Sequence, residues 1–147
     1  MFLGRFYHNL DDKGRLTIPA GFRNLLVAET GAYITLGFDQ NLMVLPSSTF
    51  NSLSRRVNQM SVTNPTTRLL RRLVYSTADR VEVDKAGRIL IPQFLRQAAG
   101  LVNSAVIVGS GEYFEIWSPE LWNAQDEQLQ DVESNTLRFS ALDLTSE

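Results

Sequence analysis

The stretch LDDKGRLTIPAGFR, residues 10–23, recurs as VDKAGRILIPQFLR, residues 83–96, an offset of 73 positions without a gap. Asp11 falls on Asp84, Gly14 on Gly87, Arg15 on Arg88, Ile18 on Ile91, Pro19 on Pro92 and Arg23 on Arg96. The same offset then puts Ala32 on Ala105, Ile34 on Ile107 and Pro46 on Pro119. That makes nine identities over residues 1–50 against 74–123, where ordinary composition gives about three. The chain is an internal duplication, and the duplicated unit decides the architecture.

Each unit implies the same series of elements. Phe2, Phe6 and Leu10 alternate with polar neighbours, as do Val81 and Val83, the period of a half-buried strand. Residues 11–14 and 84–87 are turns, with Gly14 and Gly87 supplying positive φ. Leu16 with Ile18, and Ile89 with Ile91, face inward on a second short strand. Pro19 and Pro92 suit a first helical position, and the helices stop near Gly31 and Gly100. Strands over 32–37 with 42–45, and 105–109 with 113–117, complete each unit. A unit of such short strands cannot bury a core alone, whereas two folded together close a small β-barrel with pseudo-twofold symmetry. The fold class is α+β, with helices flanking that barrel.

The remaining segments are helical. Phe50, Leu53, Val57 and Met60 share one helix face, and Asn64-Pro65 is a cap followed by proline at the first position. In the helix that follows, Leu69, Leu70, Leu73 and Val74 oppose Arg68, Arg71 and Arg72. Residues 119–133 read as one acidic amphipathic helix bearing Leu121, Trp122, Leu129 and Val132. The domain organisation is thus a repeat at 5–47, a helical linker at 48–75, a second repeat at 76–119, and an acidic C-terminal helix and tail at 120–147.

Composition narrows the chemistry. The chain has 147 residues and no cysteine, which excludes thiolate metal sites and cysteine nucleophiles. A single histidine, His8, excludes imidazole triads and multi-histidine metal sites. There is no Walker, EF-hand or G-x-S-x-G spacing, so no enzyme, cofactor or metal is expected. No run of about 18 apolar residues occurs, and the reading is a cytoplasmic protein without a membrane partner. Net charge is −2, yet the distribution is lopsided. Residues 1–100 hold thirteen Lys/Arg against seven Asp/Glu, and residues 101–147 one arginine against nine acids. A basic working surface followed by an acidic tail gives this pattern.

The sharpest local motif is Asp-x-x-x-Arg, present as Asp11…Arg15 and Asp84…Arg88. Across a tight turn the carboxylate and guanidinium meet. The pair either pins the turn as a surface salt bridge or holds an arginine ready for phosphate or a base edge. Two such arginines related by a twofold match the repeat geometry of duplex DNA. Lys13 and Lys85 beside them suit phosphate neutralisation, and Arg5 points outward on the first strand towards the same surface. The candidate DNA-binding set is therefore Arg15, Arg88, Lys13, Lys85 and Arg5, with Asp11, Asp84, Gly14 and Gly87 supporting the turns. Tyr113, Phe114, Trp117 and Trp122 admit a second role as a stacking platform for single strands, though packing at a strand–helix junction is the simpler reading.

These features together resemble the MraZ family, of the SpoVT-AbrB-like swapped-hairpin superfamily. The likeness rests on MFLGRFYHNLDDKGRLTIP at the N-terminus, both Asp-x-x-x-Arg turns with their Ile-Pro, Asn64-Pro65 with its arginine-rich helix, and LRQAAGL at 95–101. It extends over residues 1 to about 125. It implies two tandem AbrB-like swapped-hairpin repeats, at 5–47 and 76–119. It also implies a DNA-binding repressor of the division and cell-wall gene cluster that contains its own gene. Such proteins form homo-oligomeric rings of eight to twelve subunits, contact repeated short G-rich promoter boxes, and sit in the cytoplasm on the nucleoid. Arg15 and Arg88 stand at the positions implicated in DNA contact. Asp12 departs from the pattern, setting a second carboxylate beside Arg15 where the other turn has Lys85. The alternatives are a structural or partner-binding oligomer and an AbrB-type antitoxin without operator specificity.

Overall fold

A computed structural model describes residues 1–144. Along the chain run β1 (Arg5–Asn9), β2 (Arg15–Thr17), α1 (Ala20–Val27), β3 (Ala32–Leu36), β4 (Leu42–Pro46), α2 (Ser47–Gln59) and α3 (Pro65–Thr77). Then follow β5 (Asp79–Val81), β6 (Arg88–Leu90), α4 (Gln93–Ala98), β7 (Ser104–Gly109), β8 (Phe114–Trp117), α5 (Pro119–Gln130) and α6 (Val132–Phe139). The fold is α+β with antiparallel sheet, and both units of the duplication carry the same β-β-α-β-β series.

The two units exchange their first strands. The main sheet has the order β1-β7-β8-β4-β3-β5, so the first strand of each unit pairs with the third strand of the other or lies beside it. Arg5 of β1 pairs with Val108 of β7, and Ala32 of β3 with Val81 of β5. The order reads the same from either edge, with β8 against β4 at the centre through Leu42↔Ile116 and Val44↔Phe114. Beside the sheet, β2 and β6 form a two-stranded ribbon of three pairs, Arg15↔Leu90, Leu16↔Ile89 and Thr17↔Arg88.

The sheet does not close into the expected barrel: it ends at β1 and β5, and among the described residues the Leu10↔Leu16 bridge, just after β1, joins it to the ribbon. The ribbon strands are three residues long because Pro19 and Pro92 follow almost at once, and proline has no N–H for a ladder. Side chains seal the gap instead. Leu16, Ile18, Ile89 and Ile91 are fully buried in one core with Ile34, Leu42, Ile107, Phe114 and Ile116. Each such burial contributes about 1.5–3 kcal/mol. That main core draws on both units, and two smaller clusters accompany it, one of Met43, Leu45, Phe50 and Val74, the other of Val106, Trp117 and Trp122.

Several boundaries differ from expectation. Pro19 and Pro92 are N-caps, one residue before the first helical position. The first helix ends at Val27 rather than near Gly31. Met60 lies beyond α2 and is exposed, and Leu69 turns to solvent on α3 while Thr67 and Val74 are buried. The acidic helix does not run unbroken over 119–133. Asp131 adopts an extended backbone (φ −81°, ψ 96°), and its carboxylate accepts from the N–H of Ser134, starting α6. Helix-capping chemistry thereby overrides the apolar periodicity. Residues 145–147, the end of the expected tail, lie outside the described residues.

Candidate nucleic-acid interface

Each Asp-x-x-x-Arg turn is built the same way. The Asp11 N–H donates to the Arg15 carbonyl (3.1 Å) and the Gly14 N–H to the Asp11 carbonyl (3.0 Å). Gly14 holds φ +88° and Gly87 φ +80°, a conformation that side-chain-bearing residues adopt at a cost. Inside the first turn, Asp11 Oδ1 accepts from the N–H groups of Lys13 (3.0 Å) and Arg15 (2.8 Å). Its Oδ2 accepts from Arg15 Nε at 2.7 Å. Inside the second, Asp84 Oδ1 accepts from the N–H groups of Ala86 and Arg88, both at 2.9 Å, and Oδ2 from Arg88 Nε at 3.2 Å.

These contacts hold both carboxyls below the usual carboxylate range. For Asp11 the leading cause is the Arg15 backbone N–H, followed by the Arg15 guanidinium and the Lys13 N–H. For Asp84 it is the Arg88 backbone N–H, then the Ala86 N–H and the charge of Arg88. Partial burial opposes the shift in both without cancelling it. Each carboxylate is thus a fixed anion that engages the Nε of its own arginine, leaving the Nη edge of Arg15 for another acceptor and that of Arg88 only loosely engaged, 3.9 Å from Asp11 Oδ2.

The turns also engage one another. The Ile18 N–H donates to the Gly87 carbonyl (2.9 Å) and the Ile91 N–H to the Gly14 carbonyl (2.8 Å). Arg88 Nη1 lies 3.9 Å from Asp11 Oδ2, an ion pair that crosses between the units. Arg15 and Arg88 keep about a third of their side-chain surface exposed (35% and 32%), as groups available to a ligand must. Lys13, Lys85 and Asp12 are exposed at the turn tips. The lysines occupy different turn positions, so the cationic tips are not exact copies.

Arg5 stands apart from this assembly. It starts β1, six residues from Asp11, about 20 Å of extended chain. Its Nη1 pairs with Asp126 Oδ1 of α5 at 2.8 Å, and its guanidinium lies 4.9 Å from the centroid of the Trp122 ring. That bond pulls the Asp126 carboxyl below its ordinary range. The aromatic group is packing: Phe114, Trp117 and Trp122 are buried, and the two indoles meet edge to face at 5.6 Å.

Sequence reasoning assigned no role to Arg23 and Arg96, although the repeat pairs them. Both come to the twin turns: a side chain on Gly14 would collide with the Arg96 guanidinium, and one on Gly87 with that of Arg23. Their signal was the alignment itself, since an arginine kept at the same place in both copies answers to the same geometry twice. Among the described residues no group of acidic or histidine side chains fits a metal ion, and no helix is long and apolar enough to cross a membrane.

Comparison with known proteins also finds the chain duplicated. The family model described as "MraZ protein, putative antitoxin-like" matches twice, over residues 1–73 and 74–143. The chain belongs to the MraZ family. A transcriptional regulator MraZ of Thermomicrobium roseum is 46% identical over 129 residues, covering 88% of this chain and 89% of the relative. That of Roseiflexus castenholzii is 48% identical over 122 residues, with coverage of 83% and 84%. That of Dictyoglomus turgidum is 41% identical over 134 residues, with coverage of 91% and 90%. MraZ proteins are transcriptional regulators and not enzymes, and this member is one of them.

Proposed function

We propose that the twin arginine turns grip duplex DNA, and that the chain represses the division and cell-wall gene cluster, its own promoter included. The observation that carries the reading is the duplicated turn, in which a fixed carboxylate engages Nε and leaves about a third of each arginine side chain exposed for a ligand. That edge matches guanine or phosphate. Lys13 and Lys85 neutralise neighbouring phosphates. Gly14 and Gly87 shape the turns that Asp11 and Asp84 lock.

One module on a chain of net charge −2 binds DNA weakly. A ring of eight to twelve copies facing repeated promoter boxes raises the avidity without any new contact. The protein acts in the cytoplasm, on the nucleoid. Residues 5–47 and 76–119 are the two DNA-facing repeats, 48–75 the helical linker, and 120–147 the acidic end. Arg5 belongs to this surface only if a phosphate displaces Asp126, so its contribution is the smallest of the five cations.

A test is a titration of the purified protein with duplex from just upstream of its own gene, followed by fluorescence anisotropy, with a scrambled duplex as control. Wild type prefers the upstream duplex. Arg15→Ala lowers that affinity by about 1–3 kcal/mol, the worth of a bidentate base contact. Equal affinity for both duplexes, or an unchanged Arg15→Ala, contradicts the reading.

A second reading, an oligomer whose main task is to bind partners or itself, draws on a different surface. Residues 40–78 contain five arginines and no acidic residue, and none of the ion pairs among the described residues involves them. The acidic end of a neighbouring copy complements that charge. The two readings are compatible. An antitoxin role predicts instead a small toxin that co-purifies with the chain.

A further inference from the structure

We propose that Arg23 and Arg96 are positioning residues, each fixing the arginine turn of the opposite repeat, so that Arg96 acts through Arg15 and Arg23 through Arg88. The inference rests on the reading that these turns grip DNA. Both arginines stand in the first turn of their helix, where the Arg23 N–H donates to the Pro19 carbonyl (2.9 Å) and the Arg96 N–H to the Pro92 carbonyl (3.0 Å). From there each side chain crosses to the other unit.

The contacts on one side form an unbroken path. Arg96 Nε donates to the Ile91 carbonyl at 3.0 Å, and the Ile91 N–H donates to the Gly14 carbonyl at 2.8 Å. The guanidinium packs so closely on Gly14 that a Cβ there would lie 2.6 Å from both Nε and Cζ. Gly14 is buried beneath it. On the other side, a Cβ on Gly87 would meet Arg23 Nη1 and come within 2.9 Å of its Cζ, and Gly87 is likewise buried. Glycine is thus required twice at each turn, for positive φ and for the room that the guanidinium occupies.

Neither Arg23 nor Arg96 takes part in an ion pair among the described residues. Arg96 donates its Nε to backbone, and Arg23 packs against the backbone of Gly87; the planar guanidinium is what each place holds. Each turn projects its Asp-held arginine from the point where the opposite helix presses on it. Removing the clamp frees the turn to reorient, and the DNA-facing guanidinium loses its preset direction.

Double-mutant cycles in the full chain test this, read as affinity for the upstream duplex with the scrambled duplex as control. Arg96→Ala weakens binding about tenfold in the wild-type background. It has little further effect in Arg15→Ala, and its full effect in Arg88→Ala. Arg23→Ala shows the reverse preference. A loss of stability alone would not choose between the two backgrounds. Arg96→Lys, which keeps the charge and lacks Nε, behaves as Arg96→Ala does, and it supplies the cycle should the alanine variant not fold. Equal effects of Arg96→Ala in both backgrounds, unchanged affinity, or restoration by lysine would overturn the proposal and make Arg96 an independent phosphate contact or none. If Arg15→Ala and Arg88→Ala themselves leave affinity unchanged, the DNA-gripping reading fails first.

Discussion

Asp11 and Asp84 do the decisive work at the scale of single residues. Each gathers two backbone N–H groups and one guanidinium Nε, and so orders a turn and an arginine with the same carboxylate. Because both pKa values are lowered in the folded chain, the unfolded chain binds more protons as the pH falls below about 4. The stabilisation is therefore complete above the unfolded value and is lost as pH drops through the depressed folded one. The thermal midpoint of wild type should fall on acidification below about pH 4, and that of Asp11→Asn with Asp84→Asn should fall less steeply. Parallel curves for the two proteins would contradict this account. Arg5 marks where residue-level reading stopped: its outward place on a strand was legible, but Asp126 lies 121 positions away and no local pattern announces that pairing.

At the scale of elements, most of the fold was legible because local chemistry and burial agree. The turns, the inward-facing Leu16, Ile18, Ile89 and Ile91, and the Asn64 cap, whose side chain accepts from the Thr66 N–H at 2.9 Å, stand where their residue types suggested. The misses have different causes. Met60 is exposed because α2 ends one residue before it, whereas Leu69 fits an apolar stripe yet faces solvent because helix α3 sets its buried stripe by what β3 offers, Thr35 bonding to Thr77 and to the Val74 carbonyl. Only the tertiary partner selects among adjacent faces of a helix. Glycines separate local from tertiary demands. Gly21 has no neighbour within 4 Å of an added Cβ and no positive φ, so Gly21→Ala should stabilise by about 0.5–1 kcal/mol. Gly100 is equally open but has φ +68°, so alanine there should cost about 1 kcal/mol through the backbone alone. Gly14→Ala meets both the positive φ and the Arg96 guanidinium, and should be the most damaging of the three. Chemical denaturation of the three variants gives that order, and a Gly14→Ala no worse than Gly100→Ala would remove the clamp from the account.

At the scale of the whole molecule, the duplication explains both what was readable and what was not. Two copies of one motif announced a pseudo-twofold structure, and the sheet order β1-β7-β8-β4-β3-β5 has that symmetry. The exchange of first strands between units accords with the swapped hairpins that the resemblance implied, whereas the open sheet was beyond any single copy, since it depends on how far β2 and β6 extend before proline ends them. The same symmetry brings Arg15, Arg88, Arg23 and Arg96 to one pair of interlocked turns. Leu137, Phe139 and Leu142, on and after α6, are exposed within the acidic C-terminal end. A structure of the protein bound to duplex from upstream of its own gene decides whether the twin turns grip DNA. Arg15 and Arg88 are expected within hydrogen-bonding distance of base edges or phosphates, each still held by its aspartate. A duplex seated on α2 and α3, with both twin-turn arginines free of it, would contradict that account.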